Sequence, residues 1–179
     1  MNNESRRLFL ASSIATISTT SSLFLPGASA ISPEEASRDY DIYSNTYDIL
    51  DGGSAASALG IDEARTKLLQ LAKGNVLEIG VGTGLNLSNY KPGRIASFTL
   101  VDISEGMLSQ AKARVQQLEL EKSVPVKIIQ ADATSQLIEL FGKGKFDTVV
   151  DTFSLCVMGN IRAENCLTEM AGVVKDAED

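Results

Sequence analysis

Apolar positions recur along the chain in two rhythms, and the change from one to the other falls near residue 74. Before it, Ser32-Pro33-Glu34-Glu35 predicts a helix start, with a capping hydroxyl, a proline in the first turn and acids where the helix dipole favours them. Tyr40, Tyr43 and Tyr47 follow at three- and four-residue spacing and so share one helical face. Asp51-Gly52-Gly53 breaks that segment, and a second helix over about Ala56 to Lys73 ends at Gly74, which suits a left-handed cap. Beyond it come four short apolar runs, Val76–Ile79, Phe98–Val101, Val126–Ile129 and Phe146–Val150. Each is too short for a helix and rich in β-branched residues, so each predicts a buried parallel strand. Met107, Leu108, Ala111, Val115 and Leu118 line one helical face between the second and third runs; Ala163, Cys166, Leu167, Met170, Ala171 and Val174 line another after the fourth. Strand–helix alternation of this kind predicts an α/β fold, a doubly wound parallel sheet with helices on both faces and right-handed crossovers. The fourth strand is expected at an edge, with nothing in the pattern to cover it.

Composition adds one core and one soluble domain: 179 residues, 44% hydrophobic and 22% charged, with four prolines and no internal repeat. Residues 1–30 stand apart. Ser5-Arg6-Arg7-Leu8-Phe9-Leu10 is a twin-arginine start, and Ala28-Ser29-Ala30 supplies the small-x-small pattern a signal peptidase accepts, so the segment resembles a twin-arginine export signal. Eight of the 18 residues from Leu8 to Leu25 are Ser or Thr, which makes a membrane anchor through 8–25 the poorer alternative, and an unstructured N-terminus is the third. Loss of Glu4, Arg6 and Arg7 with that segment would take the formal charge from −7 to −8. An acidic domain without a basic run repels a phosphate backbone, which excludes nucleic acid as the main partner and favours small-molecule chemistry. Two cysteines and no histidine exclude a zinc site, and Cys156 and Cys166 both read as buried structural thiols.

The candidate chemistry sits at the tips of the predicted strands. In a parallel sheet a ligand lies beyond the carboxyl ends of the strands where their order reverses, and Gly80, Gly82 and Gly84 follow the first strand there. Glycine permits positive φ and close approach of a ligand to backbone, and the amides of the helix expected next would be donors. Asp102 ends the second strand about twenty residues on, the distance at which a carboxylate reaches ribose hydroxyls. Asp132 ends the third strand on the same rim. A dinucleotide fingerprint needs a third glycine at the sixth position, where this chain has Leu85, and a pyrophosphate would be repelled by Glu78 just before the turn. A cationic ligand would be welcomed there, and S-adenosylmethionine carries an ammonium and a sulfonium.

Over residues 40 to 175 the chain resembles the class I S-adenosylmethionine-dependent methyltransferases, with "VLEIGVGTG", "LVDISEGML", "QADAT" and "FDTVVDTFSLCVM" standing as their first four motifs in order and spacing. The subgroup it is most similar to is the methyltransferase-like, ubiquinone-biosynthesis type that includes plant plastid members. The resemblance implies a Rossmann-like domain over 31–179, with a helical cap at 32–73 and a donor-binding core at 74–179. It implies that Glu78, Gly80 and Gly82 meet the methionine part, that Gly84 belongs to the same cofactor site, that Asp102 holds the ribose, and that Ile103 and Met107 pack on adenine. Asp132 would accept from the adenine amino group with Ala133 beside it, and Asp151, Thr152 and Phe153 would form the rim between donor and acceptor. Tyr47 matches an aromatic that closes over the donor; it and Asp151 are the candidates for a catalytic role, since histidine is absent. Family members continue after the helix at 161–174 with further strands that complete a seven-stranded sheet, so the resemblance implies a chain missing the last strands and much of the acceptor wall. Three readings stay open: methyl transfer to a small-molecule acceptor, a catalytically incomplete donor-binding fragment or regulatory remnant, and a nucleotide-dependent oxidoreductase. Plastid resemblance and a twin-arginine start together imply the chloroplast thylakoid, with a bacterial periplasm as the alternative.

Overall fold

A computed structural model describes residues 8–11, 32–50 and 60–176. The expected break at Asp51-Gly52-Gly53, the helix start at Ala56, most of the serine-rich stretch and Ala28-Ser29-Ala30 lie outside the described residues. The strands are β1 (Leu8–Ala11), β2 (Gly74–Ile79), β3 (Ile95–Asp102), β4 (Val126–Gln130) and β5 (Thr148–Thr152). They form one parallel sheet in the order β1-β5-β2-β3-β4. The chain therefore runs outward from β2 through β3 to β4 and returns to β2's other side with β5, which creates the reversal point at the tip of β2.

The helices are α1 (Pro33–Tyr43), α2 (Tyr47–Leu50), α3 (Ile61–Leu69), α4 (Glu105–Gln117), α5 (Leu137–Phe141) and α6 (Asn160–Val173). Ser32 and Glu35 close a capping box at the start of α1, as the sequence predicts, the Ser32 amide donating to Glu35 at 2.9 Å and the Glu35 amide to Ser32 at 3.2 Å. Side-chain alternation along the strands divides the core in two. On one face Val76, Phe98 and Leu100 pack with Leu108, Ala111 and Val115 of α4; on the other Leu77, Val101 and Val149 pack with Cys166, Met170 and Val173 of α6.

Five differences from the sequence expectation have local causes. The edge of β5 is paired: Leu8–Ala11, which the sequence placed in the export segment, runs parallel to Val149–Thr152 and satisfies backbone groups that would otherwise face solvent. The fourth run begins its ladder two residues late, because the Phe146 amide donates to Val173 O at 3.1 Å and Phe146 bridges Val174 instead. The second helix stops at Leu69, and Gly74, at φ +68°, opens β2 where a Cβ would stand 2.4 Å from Asp147 Oδ2. No α-helix follows the glycine turn; a single 3-10 turn at Leu87–Asn89 takes its place before Pro92 and Gly93. Cys166 is buried as expected, whereas Cys156 is exposed, because its apolar neighbours form a loop at the sheet's rim rather than core.

Candidate functional site

A cavity opens at the carboxyl ends of the strands, where β2, β3, β4 and β5 contribute Gly80 and Gly82, Asp102 and Ile103, Ala131 to Ala133, and Thr152 to Ser154. Met107 of α4 closes one side, and Ala36, Tyr40 and Tyr47 form a roof. Of the residues singled out from sequence, Gly80, Gly82, Asp102, Ile103, Met107, Asp132, Ala133 and Tyr47 stand on this wall. The roof is held by side chains the sequence did not expose. Asp41 accepts from the Ser104 hydroxyl at 2.6 Å and the Gly106 amide at 2.8 Å, at the start of α4 where the helix dipole favours a negative group. The Ser37 hydroxyl donates to Ile103 O at 3.0 Å. Asp48 accepts from the Thr83 hydroxyl at 2.5 Å and pairs with Arg114.

Asp102 joins two strand tips. Its Oδ2 accepts from the Gly82 amide at 2.8 Å and its Oδ1 from the Ser104 amide at 2.9 Å, so the glycine turn and the second acid form one rigid unit. Burial pushes the Asp102 carboxyl above its ordinary value, opposed by the amides of Ser104, Gly82 and Ile103. Three amides leave part of the carboxylate's roughly four acceptor sites open to a hydroxyl ligand. Gly82, at φ +56°, has no protein atom within 4 Å of where a Cβ would stand, which leaves room for a ligand against the backbone.

Three residues expected at the ligand lie elsewhere. Gly84 is needed for packing, since a Cβ there would meet Leu87 Cδ1 at 2.8 Å and Ala111 Cα at 3.4 Å. Glu78 is buried behind the wall, accepting from Asn86 Nδ2 at 2.7 Å and from the Tyr90 hydroxyl at 2.7 Å. Burial pushes its carboxyl up to about 7 despite those two donors, with the Asp151 charge adding to the rise. Asp151 is likewise buried, below the turn rather than in it, where it accepts from the Ser154 hydroxyl; strand parity sends its side chain to the Val149 face. Thr152, Phe153 and Ser154 take the wall position instead, with Phe153 held at φ +75°.

Asp132 lies on the wall but already has partners: the Thr134 amide at 2.9 Å, its hydroxyl at 2.7 Å, and Arg162 Nη2 at 3.4 Å. Arg162 on this wall and Arg65, whose guanidinium lies over the Phe153 ring, belong to no motif that would mark them as site residues. Asn86 and Tyr90, eight and twelve residues after Glu78, could have been suspected only by asking what satisfies a carboxylate inside a strand.

Residues 76–177 match the family described as "Methyltransferase domain". The chain belongs to that family. Phosphatidylethanolamine N-methyltransferase of Cereibacter sphaeroides is 39% identical over 102 residues, covering 57% of this chain and 46% of that protein. The chain thus spans about half the length of this curated relative. Among solved structures, the [4+2]-cyclase SpnF superimposes with a TM-score of 0.66 at 18% identity, over 82% of this chain and 58% of that one. A S-adenosylmethionine-dependent methyltransferase from Thiobacillus denitrificans, in complex with S-adenosyl-L-homocysteine, gives a TM-score of 0.53 at 22% identity, over 78% and 52% of the two chains. At such identities these structures establish the fold, a Rossmann-like class I methyltransferase architecture. A cyclase among them makes the chemistry a matter for the site.

Proposed function

We propose that this protein binds S-adenosylmethionine in the cavity at the tip of β2 and transfers its methyl group to a small-molecule acceptor. The observation that carries the reading is the bond from the Gly82 amide to Asp102, which fixes a bare stretch of backbone beside a buried carboxylate on one cavity wall. The cavity fits such a donor: Asp102 would take the ribose hydroxyls, Ile103, Met107 and Ala133 would flank the adenine, and Asp132 would meet its amino group. The donor, when bound, supplies a methyl carbon already activated by positive sulfur. The chain's own work is alignment and exclusion of water, and Tyr40 and Tyr47 in the roof and Phe153 in the wall serve the second. With no histidine in the chain and Asp151 turned under the wall, Tyr47 is the one of the two catalytic candidates that lines the cavity. The missing helix after the glycine turn speaks against a dinucleotide, whose pyrophosphate would need that helix N-terminus. Calorimetric titration with S-adenosylhomocysteine tests the proposal: saturable binding that is lost in Asp102→Ala supports it, and absence of binding to the unaltered chain refutes it.

For residues 1–30 we propose an export segment, on the strength of Arg6-Arg7 and Ala28-Ser29-Ala30. A reporter fused to residues 1–45 that stays in the cytosol of a host with twin-arginine transport would refute it.

A further inference from the structure

β5 has β2 on one side and β1 on the other, with Leu8 opposite Val149, Phe9 opposite Val150, Leu10 opposite Asp151 and Ala11 opposite Thr152. Val149, Val150 and Asp151 are buried, so the backbone that β1 covers belongs to the centre of the domain. Strand backbone left unpaired presents a row of N–H and C=O groups that another extended segment can take. The same edge is met by the chain that leaves α6. Phe146 bridges Val174 in parallel, its amide donating to Val173 O at 3.1 Å and its carbonyl accepting from the Lys175 amide at 2.9 Å. The next amide, that of Asp147, donates to Asn75 O on the β2 side at 2.9 Å, so Phe146 faces the edge that β1 takes. A strand continued from Val174 in that register would come opposite Val149 three residues on, the place Leu8 holds. The edge is therefore a slot for a parallel strand, and between Val149 and Thr152 a segment remote in sequence fills it.

That strand overlaps the export segment. Ser5-Arg6-Arg7-Leu8-Phe9-Leu10 is the twin-arginine start, and Leu8, Phe9 and Leu10 are also the first three residues of β1. A twin-arginine signal is an address read by a receptor, which needs those residues as free peptide. Backbone hydrogen-bonded into a ladder is not free, so docking on β5 and recognition for export exclude each other. We infer that β1 is a retention strand: the folded domain holds its own export signal in the slot along β5, and the protein leaves the compartment in which it folds only when Leu8–Ala11 has come away. This rests on the export reading of residues 1–30 and adds to it a control built into the sheet. A strand of four residues is held by few backbone hydrogen bonds, which puts its release among the local openings of a native protein rather than global unfolding, and lets docked and free forms coexist.

Two measurements test the inference. In the full chain, made in a host without twin-arginine transport so that residues 1–30 stay attached, β1 amides that face β5 should exchange hydrogen roughly 10- to 100-fold more slowly than in the denatured chain, the worth of a few net backbone hydrogen bonds. Exchange of all of 8–11 at the denatured rate overturns the inference. Export is then followed in a host with twin-arginine transport, for the full chain and for a reporter fused to residues 1–45, which lacks β5 and so has no slot. Leu10→Pro and Ala11→Pro are placed in both proteins in turn. Successive N–H groups along a strand face opposite sides, so one of the two substitutions removes a donor from the ladder. That one should raise export of the full chain several-fold relative to its effect on the reporter. If both substitutions change full chain and reporter alike, β1 does not restrain export and the inference falls. Should a proline silence the signal in the reporter, hydrogen exchange decides alone. Failure of the unaltered reporter to leave the cytosol would instead overturn the export reading itself, with β1 remaining as an edge strand.

Discussion

The hydroxyl of Thr83 donates to Asp48 at 2.5 Å, which ties the glycine turn under the cavity to the short helix that carries Tyr47 above it. The other oxygen of Asp48 pairs with Arg114 on α4. One half-buried carboxylate therefore joins floor, side and roof of the site, so that ordering the roof and shaping the floor are a single event.

Replacing Asp48 by Ala removes both ties. Arg114 Nη1 is already buried without a partner among the described residues, so loss of the ion pair leaves its guanidinium poorly compensated. The pair is partly exposed, with Arg114 at 24% and Asp48 at 40%, which limits the loss to about 1 kcal/mol of folding stability. Affinity for S-adenosylhomocysteine should fall several-fold as well, and proteolytic nicking within 44–50 should speed up, because the roof is released. Unchanged nicking with unchanged affinity would show that α2 is held by the edge-to-face contact of Tyr47 with Tyr43.

Gly82 and Gly84 both have positive φ, at +56° and +82°, yet an added methyl should act on different quantities. At either site the left-handed backbone costs a non-glycine residue about 1–3 kcal/mol. Gly82→Ala meets no protein atom, so stability falls by strain alone while the methyl stands where the ligand approaches, and titration should show binding abolished. Gly84→Ala also presses on the buried Leu87 side chain, so its melting temperature should be the lower of the two, while the protein that remains folded still binds.

The two cysteines should react unequally. Cys166 is fully buried between α6 and the sheet, and burial, with the Asp151 charge next in effect, pushes its thiol up to about 12. Cys156 is exposed, donates to Phe153 O at 2.9 Å, and has a thiol raised by burial and by Asp151 to a lesser degree. Titration with a chromogenic disulfide reagent should modify Cys156 alone in the folded state, faster as pH rises, and Cys166 only after denaturant is added.

The fold was readable because buried parallel strands are continuous apolar runs, a signal that survives without tertiary information; Val76–Ile79 and Phe98–Val101 lie inside β2 and β3. The end of β5 was less readable because Asp151 and Thr152 are polar and are tolerated there through partners elsewhere, such as Ser154 for Asp151 and Asn86 for Thr152. The helix expected after the glycine turn failed for a related reason: Asn86 and Tyr90 are drawn inward to Glu78, and Pro92-Gly93 follows. Eight of the candidate ligand residues line the cavity because motif positions at strand tips converge in any such sheet. Asp41, Asp48, Arg65 and Arg162 were invisible because each acts across a gap of tens of residues that no local pattern encodes.

Glu78 gives the site a pH signature in folding stability. Its carboxyl rises from 4.5 to about 7 on folding, through burial first, so between those values the folded chain holds a proton that the unfolded chain has released. A raised carboxylate pKa stabilises the fold fully below about 4.5, and that contribution is lost as pH climbs through 7. Glu78→Gln keeps an acceptor and a donor for Asn86 and Tyr90 without a charge to desolvate. Chemical denaturation of both proteins at intervals from pH 5 to pH 8 should therefore show the unaltered chain losing ground to the variant as pH rises, by at most about 3 kcal/mol across the range. A stability difference that stays flat over that interval would mean that Glu78 is ionised throughout, with Arg65 and the two hydrogen-bond donors carrying its charge.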